Sequence, residues 1–169
     1  MNEDEYRTIY NQLNPQDCVY KKITLFNYGN CEHGEKKYLA ERETMACQSK
    51  KARLDCLQLL NKMRDNARFA LKITKSDAPL PHSKEMRVQV AGIYGLQQHL
   101  DNNNTADTEQ IKDNVIYNNL SGPPINNVHG VVKDAVLKYG KIKDIPYNEL
   151  VKAIMRFSLP RRKKRKDTL

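Results

Sequence analysis

The clearest helical pattern in the chain lies at residues 47–73, CQSKKARLDCLQLLNKMRDNARFALKI. It contains neither Gly nor Pro, and its apolar residues recur at steps of three and four, the period of one helical face. Leu54, Leu57 and Phe69 lie beside this apolar stripe and predict packing on more than one side. The pattern therefore predicts a long core helix. The stripe consists of Ala52, Cys56, Leu59, Leu60, Met63, Ala67, Ala70 and Leu71.

The start of this helix is predicted at Ser49, whose hydroxyl can accept a hydrogen bond from the orphan amides of the first turn. The helix must end before the prolines of segment 79–81, and we expect its end near Thr74. The same apolar phase continues backward through Met45, so an earlier start near Glu35 is the alternative.

The rest of the chain predicts a mainly α domain of about five to six helices, with one short β element near the N-terminus. Residues 4–13 form the first helical pattern. Residues 19–28 are rich in β-branched and aromatic residues and predict the β element. Residues 83–100 predict a helix capped by Ser83, in which two glycines at 92 and 95 permit a close helix neighbour.

Three further helical patterns follow the polar run at 101–109. The first is capped by Thr105 or Asp107, the second is closed by Gly140, and the third is capped by Asp144. We therefore predict three regions: a cysteine-containing helical region at 1–101 organised on a central helix at about 49–74, a three-helix segment at 102–160, and a disordered polybasic tail at 161–169.

Composition favours a heavily solvated intracellular protein. Hydrophobic residues make up 39% of the 169, and the mean hydropathy is −0.78. No apolar run is long enough for a membrane span, and the acidic, polar start MNEDEYRTIYNQ is unlike a secretory signal. We expect a cytoplasmic location, or a nuclear one in a eukaryote. The motifs GxGxxG, GxxxxGK[ST], HExxH and GxSxG do not occur, which favours a non-enzymatic protein.

All four cysteines, Cys18, Cys31, Cys47 and Cys56, lie in the first third of the chain. In a cytosolic protein such clustering makes zinc or iron–sulfur ligation one hypothesis, in which His33 can substitute as a ligand. The spacing lacks the paired CxxC knuckles of common zinc sites. Structural free thiols and disulfides are therefore the alternatives.

The start of the long helix decides between these interpretations. If Cys47 and Cys56 lay on one straight helix, about 13 Å of rise would separate them, and they could not bind the same ion. If the helix begins at Ser49, Cys47 precedes it and can join the other three cysteines.

The net charge of +9 is concentrated at the C-terminus. Six consecutive cations and the Asp167 that follows them contribute a net charge of +5 to this total. Such a segment gains affinity for phosphate backbones through counterion release, without reading sequence. Nuclear import, docking on an anionic membrane and a solubilising role are alternatives. The candidate nucleic-acid contacts are Arg161, Arg162, Lys163, Lys164, Arg165 and Lys166, supported by Lys152 and Arg156 of the preceding helix.

The sequence thus favours an accessory or regulatory protein that binds DNA or RNA, or a nucleoprotein assembly, through its basic C-terminal part. A second hypothesis is a redox-responsive regulator with an iron–sulfur or zinc site made by the four cysteines. A third is a helical adaptor subunit of a larger protein complex.

Overall fold

The computed structural model describes residues 2–74, 79–102 and 125–157. It confirms a mainly α domain with a short two-stranded antiparallel sheet in its N-terminal region. In chain order the elements are α1 (Glu3–Leu13), α2 (Lys21–Leu25), β1 (Gly34–Leu39), β2 (Arg42–Cys47), α3 (Lys50–Ala67), α4 (His82–Met86), a π-helical turn (Arg87–Ala91), α5 (Gly92–Asn102), α6 (Val128–Tyr139), a 3-10 turn (Ile142–Asp144) and α7 (Tyr147–Arg156).

Helix α3 is the predicted central helix, and its start is confirmed. Ser49 has extended backbone angles, and its hydroxyl oxygen accepts a hydrogen bond from the amide of Ala52 at 3.2 Å. The stripe is buried as predicted, apart from Ala70, which is only partly covered. The predicted end near Thr74 is wrong. The helix stops at Ala67, and the chain turns away through Lys72, whose φ of 53° cannot continue a right-handed helix.

The prediction that α3 packs on more than one side is also wrong. Leu54 is 48% exposed and Phe69 is 96% exposed, while Leu57 is half-buried. The helix therefore buries one face, and the additional apolar residues lie on or near the solvent side, as single surface hydrophobic residues often do.

The β element lies later in the chain than predicted. Residues 21–25, inside the predicted strand, form helix α2. A helical turn places Tyr20 and Ile23, three residues apart, on one buried face, and this burial overrides the β propensity of the run. The sheet is instead the hairpin β1–β2, in which Gly34 pairs with Cys47 and Leu39 with Arg42.

The predicted helix at 83–100 is present but begins two residues earlier than a cap at Ser83 would give, at His82 after Pro81, so Ser83 is not its cap. The expected close approach of neighbours is confirmed at both glycines. A methyl group added at Gly92 would lie 2.7 Å from the sulfur of Met63 in α3, and one added at Gly95 would lie 2.8 Å from Cβ of Ala153 in α7.

The two C-terminal helices close the core. Helix α6 ends at Tyr139 and is followed by Gly140, whose φ of 82° is typical of a glycine stop. Helix α7 begins at Tyr147 after Pro146, so the predicted cap at Asp144 is wrong; Asp144 ends the 3-10 turn. The predicted helix after Thr105 or Asp107, and the tail at 161–169, lie outside the described residues.

One hydrophobic core joins α2, α3, α5, α6 and α7, so the predicted regions 1–101 and 102–160 both contribute to it. A partly buried ion pair ties α3 to α4: Arg64 Nη2 lies 2.6 Å from Glu85 Oε1, which also accepts a hydrogen bond from Gln89 at 2.7 Å. None of the described helices combines the length and apolarity needed to cross a bilayer.

The glycine contacts give a stability prediction. Gly95→Ala should lower the free energy of unfolding by about 1–3 kcal/mol, because Cβ of Ala153 is fixed to its backbone and the helices must separate. Gly92→Ala is the matched control and should cost less, because the flexible thioether of Met63 can move. Urea denaturation of the two variants measures the difference. Equal costs would contradict the tight α5–α7 contact.

Candidate functional site

Cys47 is placed by the end of the hairpin. Its amide donates to the carbonyl oxygen of Gln16 at 2.7 Å, and its thiol donates to the carbonyl oxygen of Ser49 at 3.2 Å. Gly34 is its partner across the sheet. Cys47 therefore precedes α3 instead of lying within it, which is the condition for Cys47 and Cys56 to approach each other.

The next two cysteines flank the same end of the hairpin. Cys18 donates its amide to the carbonyl oxygen of Met45 at 2.9 Å, which holds residues 16–18 alongside β2. Cys31 begins the turn that precedes β1, and its carbonyl oxygen accepts from the amide of Gly34 at 3.1 Å. Both side chains are partly buried and pack against the hydrophobic core.

Cys56 completes the group from the second turn of α3, where its side chain is buried in the core. All four cysteines are free thiols, so the disulfide alternative does not hold in this structure. Burial raises the pKa of the Cys56 thiol, and so do the neighbouring thiols of Cys31, Cys18 and Cys47. Burial, with Cys31 and Cys47, likewise raises the pKa of Cys18, to about 12. Four thiols from four segments of the chain are thus electrostatic neighbours; we call them the cysteine quartet.

The quartet is wider than a zinc tetrahedron. Thiolates at about 2.3 Å from one ion are about 3.8 Å apart. No three of the four cysteine sulfurs lie within 4.8 Å of one another. Within residues 2–74, 79–102 and 125–157, one group of potential metal ligands is that compact, and it contains no cysteine. A zinc ion would therefore require the four segments to move together.

The compact group consists of Glu32, His33 and His129. Glu32 and His33 lie in the turn before β1, and His129 lies in the first turn of α6. Glu32 Oε1 is 3.6 Å from His33 Nε2 and 3.5 Å from His129 Nδ1. The two imidazole rings meet edge to face, with centroids 4.8 Å apart. The structure thus brings His33, predicted as a substitute ligand for the quartet, together with Glu32 and His129.

Hydrogen bonds favour the ionised form of Glu32. Contacts with the side chains of Asn127 and His129 lower the pKa of its carboxyl group, and the charges of His33 and Lys133 act in the same direction. The amide of Glu32 also donates to the side-chain oxygen of Asn127 at 3.2 Å. The carboxylate is therefore ionised near neutral pH and aimed at two imidazoles.

Sequence reasoning missed this group because Glu32 and His129 are 97 residues apart. The two residues therefore belong to no common sequence motif, and no other histidine lies near His129 in the sequence. The one local signal was the polar turn Cys31-Glu32-His33-Gly34. That turn predicts exposed side chains and carries no information about which helix covers it.

Of the predicted nucleic-acid contacts, Lys152 and Arg156 lie on exposed positions of α7, at its middle and its last residue. Lys152 Nζ is 2.8 Å from Glu149 Oε1, so a carboxylate offsets its charge locally. The six cations at 161–166 lie outside the described residues.

A groove of about 1220 Å³ borders Cys18 and carries cations from α1, α2 and α3. Most of these cations are already paired: Arg7 with Glu3 at 4.0 Å, Lys21 with Asp17 at 2.8 Å, Arg64 with Glu85, and Arg68 with Asp65 at 3.2 Å. The groove is therefore unlike the unbalanced basic channels that follow a phosphate backbone.

Comparisons of the chain with protein-family models, with curated proteins and with solved structures found no match.

The raised thiol pKa values predict slow alkylation of the metal-free protein. Because the thiolate is the nucleophile, Cys18 and Cys56 should react with iodoacetamide at least about 100-fold more slowly in the folded chain than in urea, at a pH below their ordinary pKa of 9.0. Mass spectrometry of the labelled peptides gives the rates. Equal rates in the folded and unfolded chains would show that these thiols are not buried.

Proposed function

We propose that the protein is a non-enzymatic accessory or regulatory protein that binds nucleic acid, or a nucleoprotein assembly, through its basic C-terminal part. The observation that carries the proposal is the run of six consecutive cations at 161–166, which begins four residues after the last described residue, Phe157. A cytoplasmic location, or a nuclear one in a eukaryote, belongs to the same proposal.

The distribution of charge supports the tail as the main contact. On α7, Lys152 is offset by Glu149, and in the groove beside Cys18 most cations have carboxylate partners. The tail has one acidic neighbour, Asp167, against six cations. Phosphate contacts by such a segment release counterions, so the affinity should fall steeply with salt and depend little on base sequence.

A matched pair of variants tests this proposal. Replacing Arg161, Arg162 and Lys163 with Gln should weaken binding to duplex DNA and to RNA, and should reduce the slope of log affinity against log salt by about 2 to 3. The control replaces three exposed body cations, Lys36, Lys50 and Lys51, with Gln, and it changes the net charge equally. Fluorescence anisotropy over a salt series gives both slopes. Equal effects of the two variants, or unchanged binding by the tail variant, would contradict the proposal.

A second candidate function, a cysteine-ligated redox-responsive regulator, is favoured by the convergence of the quartet. Four free thiols from loop, turn, strand end and helix meet at one end of the hairpin. The wide spacing of the four sulfurs favours an iron–sulfur cluster over a single zinc ion. Each thiolate of a four-iron cluster binds a different iron, which holds the sulfurs farther apart than a single zinc ion does.

Anaerobic purification tests this candidate. The protein should be coloured, with iron and acid-labile sulfide present and little zinc, and Cys47→Ser should remove most of the iron. His33→Ala is the control and should retain it, because the structure places His33 beside Glu32 and His129 instead of the quartet. Colourless, metal-free protein with four titratable thiols would rule the second function out. Loss of iron in His33→Ala would assign His33 to the centre.

A further inference from the structure

The distances around Glu32 are long for hydrogen bonds and close to the edges of a metal coordination shell. Its Oε1 atom lies 3.5 Å from His129 Nδ1 and 3.6 Å from His33 Nε2. Direct hydrogen bonds between such groups are about 2.7–3.2 Å long. Ligands bound to one zinc ion at about 2.0–2.2 Å in a tetrahedral arrangement are about 3.4 Å apart. One ligand atom from each of the three side chains lies within 4.8 Å of the other two, which is a spacing that small movements would bring to that of one coordination shell.

The backbone on both sides of this space is anchored. In the turn, the carbonyl oxygen of His33 accepts from the amide of Gln48 at 2.8 Å. Towards α6, the amide of Val128 donates to the carbonyl oxygen of Asn30 at 2.9 Å, and Asn127 accepts from the amide of Glu32. Such outer contacts hold ligands in position and commonly accompany metal sites.

The exposure of the three side chains suits a site with an open position. The His129 side chain is 13% exposed, and that of His33 is 31% exposed, so the imidazoles form the inner wall. Glu32 lies on the outer side and is the most exposed of the three. His129 lies in the first turn of α6, with Nδ1 of its ring toward Glu32 Oε1. Lys133 is the nearby cation that opposes binding.

We propose that Glu32, His33 and His129 form a site for a divalent transition-metal ion of the zinc class, with a fourth position open to water. Two imidazoles and one carboxylate are a ligand set that zinc accepts. The site uses none of the cysteines and does not depend on nucleic-acid binding. Its ligands come from the turn before β1 and from α6, so a bound ion would fasten the hairpin region to the C-terminal helices.

Histidine ring nitrogens report on this site without interference from the thiols. The chain has four histidines, so a long-range proton–nitrogen spectrum of the labelled, metal-free protein is simple to assign. Zinc, added at up to three equivalents under reducing conditions, should shift Nε2 of His33 and Nδ1 of His129 and leave His82 and His99 unchanged. Zinc that shifts no histidine nitrogen would overturn the proposal, even if the cysteines bind the metal.

Variants of the full chain provide the second arm. Glu32→Gln and His129→Ala should each weaken the zinc affinity, measured from the histidine signals, by more than about 100-fold. Loss of a residue that only supports a ligand typically costs about 10- to 100-fold. The control, His82→Ala, removes an exposed histidine that contacts Lys22 and should leave the affinity unchanged. Far-UV circular dichroism checks folding, and the exposed Glu32→Gln variant keeps the test valid if His129→Ala unfolds. Retained affinity in folded Glu32→Gln would overturn the assignment.

Discussion

The hydrogen bond from the amide of Ala52 to the hydroxyl of Ser49 fixes the point at which strand becomes helix, and the candidate chemistry of the N-terminal half depends on that point. A helix that began near Glu35 would consume both strands of the hairpin. It would also place Cys47 and Cys56 about 13 Å apart along one axis. The cap at Ser49 leaves residues 34–47 free to pair as β1 and β2 and leaves Cys47 at the end of a strand.

The hairpin positions both candidate groups of metal ligands. The pairing of Gly34 with Cys47 brings the turn at 31–33 beside the end of β2. Within that turn, Cys31 packs against the core with the quartet, whereas the following two residues meet α6. One short turn thus belongs to both candidate metal sites. The two differ in chemistry, because soft thiolates suit an iron–sulfur cluster and imidazole with carboxylate suits a zinc-class ion.

Local patterns were predictable from the sequence, and contacts between distant segments were not. The stripe of α3, the cap at Ser49 and the glycine stop at Gly140 all depend on neighbours within one or two turns. The strand predicted at 19–28 failed because burial of Tyr20 and Ile23 against distant helices decided that segment. The real hairpin escaped prediction because its turn, Ala40-Glu41, lacks the Asn or Gly that usually marks such turns, although Ala40 has a φ of 55°.

The candidate sites divide in the same way. Clustering in the sequence was enough to group the four cysteines, and the structure brings them to one end of the hairpin. The pairing of His33 with His129 was beyond reach, because only the tertiary fold brings α6 to the turn. The polybasic tail is the opposite case, since its proposed role in phosphate binding depends on charge density, which can be read from the sequence.

Nuclear magnetic resonance of residues 34–52 in the metal-free protein tests the central claim most directly, namely that α3 starts at Ser49. A helix start at Ser49 predicts strand-type carbon shifts at 34–39 and 42–47, and a cross-strand nuclear Overhauser effect between Gly34 and Cys47. It also predicts helical shifts that begin only at Lys50. Continuous helical shifts from Glu35 through Cys56 would contradict it and would separate Cys47 from the quartet.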